Sequence, residues 1–175
     1  LHIKLYILFA VIVSVFGKLY SLLMLYAKRM YPAIRQPEYI KLLGLLGMAY
    51  IISLTVTDLT GGGEQFLMQQ AEGGNNNIYW IAGMMFLHMV FTVFSFSSGL
   101  PGGSFIPTLV TGGLTGKLYA LILVQHGIVG MESVSYVMLI GMGAFLVAVV
   151  RTPITAIILI TEITGHFEVF YPSIV

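Results

Sequence analysis

Ser97-Ser98-Gly99-Leu100-Pro101-Gly102-Gly103-Ser104-Phe105-Ile106-Pro107 interrupts two long apolar runs, and its reading decides the rest. The glycines and Pro101 exclude a helix before Ser104, whereas Pro107 suits a first helical turn, where its missing N–H costs nothing. A helix is therefore expected from about Ser104 through Leu123. Its first amides, on Ser104, Phe105 and Ile106, have no intrahelical acceptor and sit at the positive end of the helix dipole. Gly102 and Gly103 carry no side chain to keep a ligand from the backbone. Gly103, Ser104, Phe105 and Ile106 thus form a candidate anion site made of amides, with no full positive charge to trap the ion. The plainer reading is a glycine-rich turn between two membrane helices. The flanking runs tip the balance, because free amides at membrane depth must find a partner.

Working outward, 58% of the 175 residues are apolar and only 9% charged. Ordinary soluble domains carry about 25% charged residues, so this chain requires a non-aqueous solvent, and a bilayer supplies it. The net charge of +1 provides no basic patch for nucleic acid. There is no cysteine, hence no disulfide or thiolate metal site. His2, His88, His126 and His166 are far apart, with no ligand at i+3 or i+4, and neither a metal nor a cofactor is expected. Leu1 opens directly into an apolar run and Val175 stops inside another, so both ends read as cut.

The run from Ile3 to Met30 is long enough to span a membrane with tilt. Basic residues cluster at its end and beyond, at Lys28, Arg29, Arg35 and Lys41, so that with Lys18 five of the eight lie between 18 and 41, which places that loop in the cytoplasm. Residues 78–96 form a second span, with Trp80 as an interfacial anchor. Residues 72–77 read as a polar loop. Three apolar stretches, 42–56, 136–150 and 154–163, fall short of a bilayer of ~30 Å at 1.5 Å per residue. Short helices of this kind need protein or water at their ends and point to a site near the midplane.

The quoted stretch is similar to the GxFxP region of the CLC chloride channels and exchangers, as Gly103-Ser104-Phe105-Ile106-Pro107. Ile140-Gly141-Met142-Gly143-Ala144-Phe145-Leu146-Val147-Ala148 resembles a second family stretch. Arg151-Thr152-Pro153-Ile154-Thr155 and Ile158-Leu159-Ile160-Thr161-Glu162-Ile163-Thr164 follow in the family's order, and Thr60-Gly61-Gly62-Gly63 matches a glycine cluster upstream. The resemblance implies an all-α, polytopic membrane fold of broken, tilted and half-length helices. Residues 1–175 would be the second half of its inverted repeat, without the final membrane helix. It implies transport of chloride, or of fluoride or nitrate, by channel or H+/Cl− antiport in a cell inner or plasma membrane. Ser104 and Phe105 amides would face the central and outer anion sites, and the Ile106 amide the outer one. It also implies a homodimer through 1–30, 154–163 and 167–175. The family's gating and proton-transfer glutamates and its anion-binding serine and tyrosine lie outside this chain, so the resemblance does not separate channel from exchanger. No transport is expected of the chain in isolation.

Other residues favour structural roles. Thr152 reads as an N-cap and Pro153 as a first helical residue, and Arg151 and Glu162 read as structural charges. Gly112 and Gly116 form a small-xxx-small pair for close helix packing. Lys117 is expected to snorkel to water, and His88 to hydrogen-bond between helices. Two further functions stand against anion transport. An intramembrane serine peptidase would need His88 or His126 within reach of Ser104. A purely structural helix-packing subunit would account for the glycine pairs alone.

Overall fold

The computed structural model describes residues 3–33, 37–56, 62–99, 103–156 and 158. Among these there are only helices and connections: α1 (Ile3–Met30), a 3-10 turn (Tyr31–Ala33), α2 (Glu38–Thr55), α3 (Glu64–Ala71), α4 (Ile78–Ser97), α5 (Phe105–Gln125) and α6 (Ser133–Val150). A further helical turn covers 153–156. Four helices, α1, α4, α5 and α6, are long and apolar enough to cross a membrane. The chain is a multi-pass membrane segment.

α1 shows why the solvent must be lipid. Phe9, Val13, Gly17, Tyr20 and Met24 form one buried stripe at three- and four-residue spacing. The remaining surface is apolar too: Ile7, Leu8, Val11, Val15, Leu22 and Leu25 are all exposed. A helix apolar all round is stable in water only when enclosed, and this one is not. The stripe lies on α5 and α6. Phe9 stacks on Tyr119 at 4.8 Å, the Tyr119 hydroxyl donates to Leu5 O at 2.8 Å, and Tyr20 meets Phe145 edge-on at 5.6 Å.

α5 is the central helix and packs most extensively on α6. A Cβ on Gly112 would stand 2.6 Å from Gly141 O, one on Gly116 2.5 Å from Val137 O, and one on Gly141 2.5 Å from Gly112 O. The backbones touch because no side chain intervenes, as the small-residue spacing predicts. This burial encloses a polar interior. The hydroxyls of Thr108, Thr111 and Thr115 donate to Ser104 O, Pro107 O and Thr111 O, each one turn back, at 2.6, 2.8 and 2.7 Å.

Two lengths differ from expectation. α2 takes in Glu38 through Lys41 and reaches 18 residues, and α6 starts at Ser133 and also has 18, about 27 Å each. Hydropathy alone cut both short by assigning their polar first turns to loops. The short helix is instead α3, whose eight residues rise only about 12 Å. Its mixed composition, with Glu64, Gln65, Gln69 and Gln70, hid it. At the other end, Pro153 is helical and Ala156 N donates to Thr152 O at 3.1 Å, so the helix starts where the Thr-Pro pair places it. Most of the 154–163 stretch lies outside the described residues, as do Gly102, Glu162 and 167–175.

Candidate functional site

α5 begins one residue later than read, at Phe105, with Ser104 in the N-cap position. The first carbonyl used in the helix is Ser104 O, which accepts from Thr108 N at 3.1 Å. Pro107 therefore stands in the first turn without losing a bond. The Ser104 side chain makes no capping bond. Among the described residues the amides of Phe105 and Ile106 have no acceptor. The residues that carry them are partly exposed, Phe105 37% and Ile106 43%, and nothing lies within 4 Å of where a Cβ on Gly103 would stand. Such a turn offers N–H groups without an acceptor among the described residues, the positive end of a 21-residue helix, and space. Its fitting ligand is an anion.

Behind this turn lies a second backbone segment. A Cβ on Gly62 would fall 2.7 Å from Ile106 Cγ2. Gly63 is left-handed, with φ +77°, and a Cβ there would fall 2.8 Å from His88 Nε2. Both glycines are needed for the approach. His88 is buried, with Nε2 3.3 Å from Gly62 O and Nδ1 3.5 Å from Thr111 Oγ1. A carbonyl only accepts, which assigns the ring proton to Nε2. His88 therefore bonds the glycine segment to α4 and lies in contact with α5 at Thr111, whose hydroxyl proton already goes to Pro107 O.

The other residues fall as follows. Gly112 and Gly116 are packing positions against α6, well below the first turn. Arg151 closes α6 in the left-handed region at φ 62°, exposed, and its N–H donates to Val147 O at 2.8 Å. Thr152 and Pro153 are exposed at the next helix start. Lys117 is a correction. It does not snorkel but is 0% exposed, and its ammonium donates to Gln70 O at 2.8 Å and to Gln70 Oε1 at 2.9 Å. The reason is α3, unrecognised in the sequence, whose C-terminal carbonyls lie beside Lys117 and give its charge an internal partner. Neither histidine is bonded to Ser104: His88 is engaged as above, and His126 Nδ1 meets Ile122 O at 2.8 Å. Ser104 has no base.

Comparison with known proteins shows the family. The whole chain, residues 1–175, matches the family described as "Voltage gated chloride channel". It is 31% identical over 179 residues to the H(+)/Cl(-) exchange transporter ClcA of Yersinia pestis bv. Antiqua (strain Angola), with 98% of this chain and 36% of that protein covered. The same-named protein of Cronobacter sakazakii (strain ATCC BAA-894) is 31% identical, with 98% and 37% covered. That of Klebsiella pneumoniae subsp. pneumoniae is 29% identical over 180 residues, with 98% and 37% covered. The chain spans little more than a third of the length of these relatives.

Proposed function

Because this chain belongs to the voltage-gated chloride channel family, we propose that it supplies the α5 anion site of a chloride transporter. In this reading the amides of Ser104, Phe105 and Ile106, with Gly103 giving clearance, hold a partly dehydrated chloride at the start of α5. The observation that carries it is a turn whose Phe105 and Ile106 N–H groups have no acceptor among the described residues, on partly exposed residues beside an open glycine. Amide dipoles suit transport better than a lysine, since the ion must leave as readily as it enters. The matched relatives are named H(+)/Cl(-) exchangers, which supports proton-coupled exchange over passive conduction. The apolar outer face of α1 supports homodimer contact through 1–30, joined by 154–163 and 167–175. The membrane is a cell inner or plasma membrane.

No observation favours a peptidase, since among the described residues Ser104 has no histidine base. A helix-packing role accounts for Gly112 and Gly116 but leaves the presented amides unused.

The test is bromide in place of chloride in crystals of the intact protein. Anomalous density within about 3.5 Å of the Phe105 and Ile106 nitrogens is expected. Bromide bound elsewhere with none at this turn would overturn the reading. In proteoliposomes, chloride efflux should drive opposing proton movement, and efflux that leaves internal pH unchanged would refute exchange.

A further inference from the structure

A lysine that is fully buried in a membrane helix and has no carboxylate partner among the described residues requires an explanation. Lys117 is held by Gln70 alone, through the backbone carbonyl and the side-chain Oε1. Gln70 belongs to the last turn of α3. The last four carbonyls of that helix are all satisfied. Met68 O accepts from Glu72 N at 3.1 Å, Gln69 O from Gly74 N at 3.1 Å, Gln70 O from Lys117, and Ala71 O from the Ser135 hydroxyl at 2.7 Å. Two of these four come from local turn amides. The other two come from α5 and α6, so this end of α3 is pinned to both.

The opposite end of α3 lies at the candidate site. Gly62 touches Ile106, Gly63 approaches His88 and Val110, Leu67 fills the space over Gly113, and Gln70 meets Lys117. These pairings advance together along both helices, so α3 runs parallel to α5. The starts of the two helices lie side by side. Parallel neighbouring dipoles oppose each other, and two charges relieve that: an anion at the paired starts and a cation at the end of the shorter helix. Lys117 is that cation, about 16 Å along α5 from Ile106.

We infer that Lys117 is a positioning residue for the α5 anion site, which clamps the end of α3 so that its glycine start stays seated against Ile106 and His88. This rests on the anion-site reading above. Neutralising Lys117 frees the negative end of α3 and loosens Gly62 and Gly63 behind the first turn of α5. The anion then meets a weaker and less fixed field.

The experiment is a chloride titration of the intact, purified protein by calorimetry, with thermal unfolding in chloride-free buffer recorded in parallel. Lys117→Met is expected to weaken chloride binding about two- to fivefold. Lys117→Arg, which keeps the charge and can still donate to both Gln70 oxygens, is expected to recover most of the loss. A purely structural lysine would lower the unfolding temperature and leave the chloride affinity of the folded protein unchanged, which would overturn the inference. If Lys117→Met does not fold, Gln70→Leu removes only the side-chain acceptor. Weaker chloride binding then supports the clamp, and unchanged binding overturns it. Failure of the wild-type protein to bind chloride would refute the α5 reading itself, whereas wild-type binding matched by Lys117→Met would refute only the role of Lys117.

Discussion

A methyl group on Gly141 tests how tightly α5 and α6 are joined. Its Cβ would stand 2.5 Å from Gly112 O, 2.9 Å from Gly116 Cα and 3.1 Å from Gly116 N. The closest of these falls about 0.9 Å short of the 3.4 Å at which ordinary contact begins. All three obstacles are backbone atoms of one helix, so no rotamer change relieves them. The helices must separate by several tenths of an ångström, and the contacts around Leu114, Val137, Met138 and Phe145 open with them. Overpacking of this kind costs about 1–3 kcal/mol. Gly141→Ala also gains helix propensity, about 0.5–1 kcal/mol, which sets a floor for what the clash must exceed. Gly83 on α4 supplies the control. Nothing lies within 4 Å of its Cβ position, so Gly83→Ala should show the propensity gain alone. Thermal or denaturant unfolding of the intact protein in detergent should lower the stability of Gly141→Ala and raise that of Gly83→Ala slightly. If both variants shift upward together, the backbone contact between α5 and α6 is not as close as described.

Four further outcomes can be measured on the intact protein. Ser104→Ala should leave chloride affinity and stability nearly unchanged, because the side chain makes no cap bond and the amide remains; a large loss of transport would assign the hydroxyl a role. An amide-to-ester substitution at Phe105 deletes one N–H with little change of shape and should weaken chloride binding about tenfold or more by calorimetry. The Tyr20 hydroxyl is buried without a hydrogen bond among the described residues, so Tyr20→Phe should unfold at the same temperature or higher. His88→Leu removes the partner of Gly62 O inside the protein and should cost about 1–3 kcal/mol in unfolding, together with faster proteolysis near the glycine segment.

Most of the architecture was legible because lipid demands long apolar runs and tolerates few exceptions. α1 was bounded at its Met30 end, and α5 to within two residues at either end, where Pro32, Pro107, the glycines and the last apolar residues mark those points without competition. The Gly112 and Gly116 contact was legible because a small-residue spacing has one physical use at a helix surface. α3 was not. Its eight residues carry as many amides and acids as apolar groups, and only two of its apolar side chains, Phe66 and Leu67, are buried. No period emerges from so short a helix, and its stability comes from α5 and α6 rather than from its own sequence. The fate of Lys117 followed from that omission. A lysine stem beside glycines does suggest snorkelling unless a carbonyl-rich helix end is known to be near. The His88 partners were half legible: a polar residue at mid-span needs a bond, but which backbone supplies it depends on where the loop folds back.

The burial of α5 has a mechanical consequence for the site at its start. Its threonines and Lys117 would be costly against lipid, so neighbours must cover it on nearly every side, and α1, α3, α4 and α6 do so. Gly112, Gly116 and Gly141 bring α6 to backbone contact, which leaves no slack for α5 to slide. Thr108 further ties its own first turn by adding a second donor to Ser104 O. The turn that presents Phe105 and Ile106 is therefore the fixed end of a fixed helix. In the proposed reading, a rigid set of donors of this kind would bind an anion without having to reorganise, which favours rapid and repeatable occupancy. Whatever opens and closes access to such a site must move against it, and the surface on which it can move is the exposed one formed by Gly103, Phe105 and Ile106.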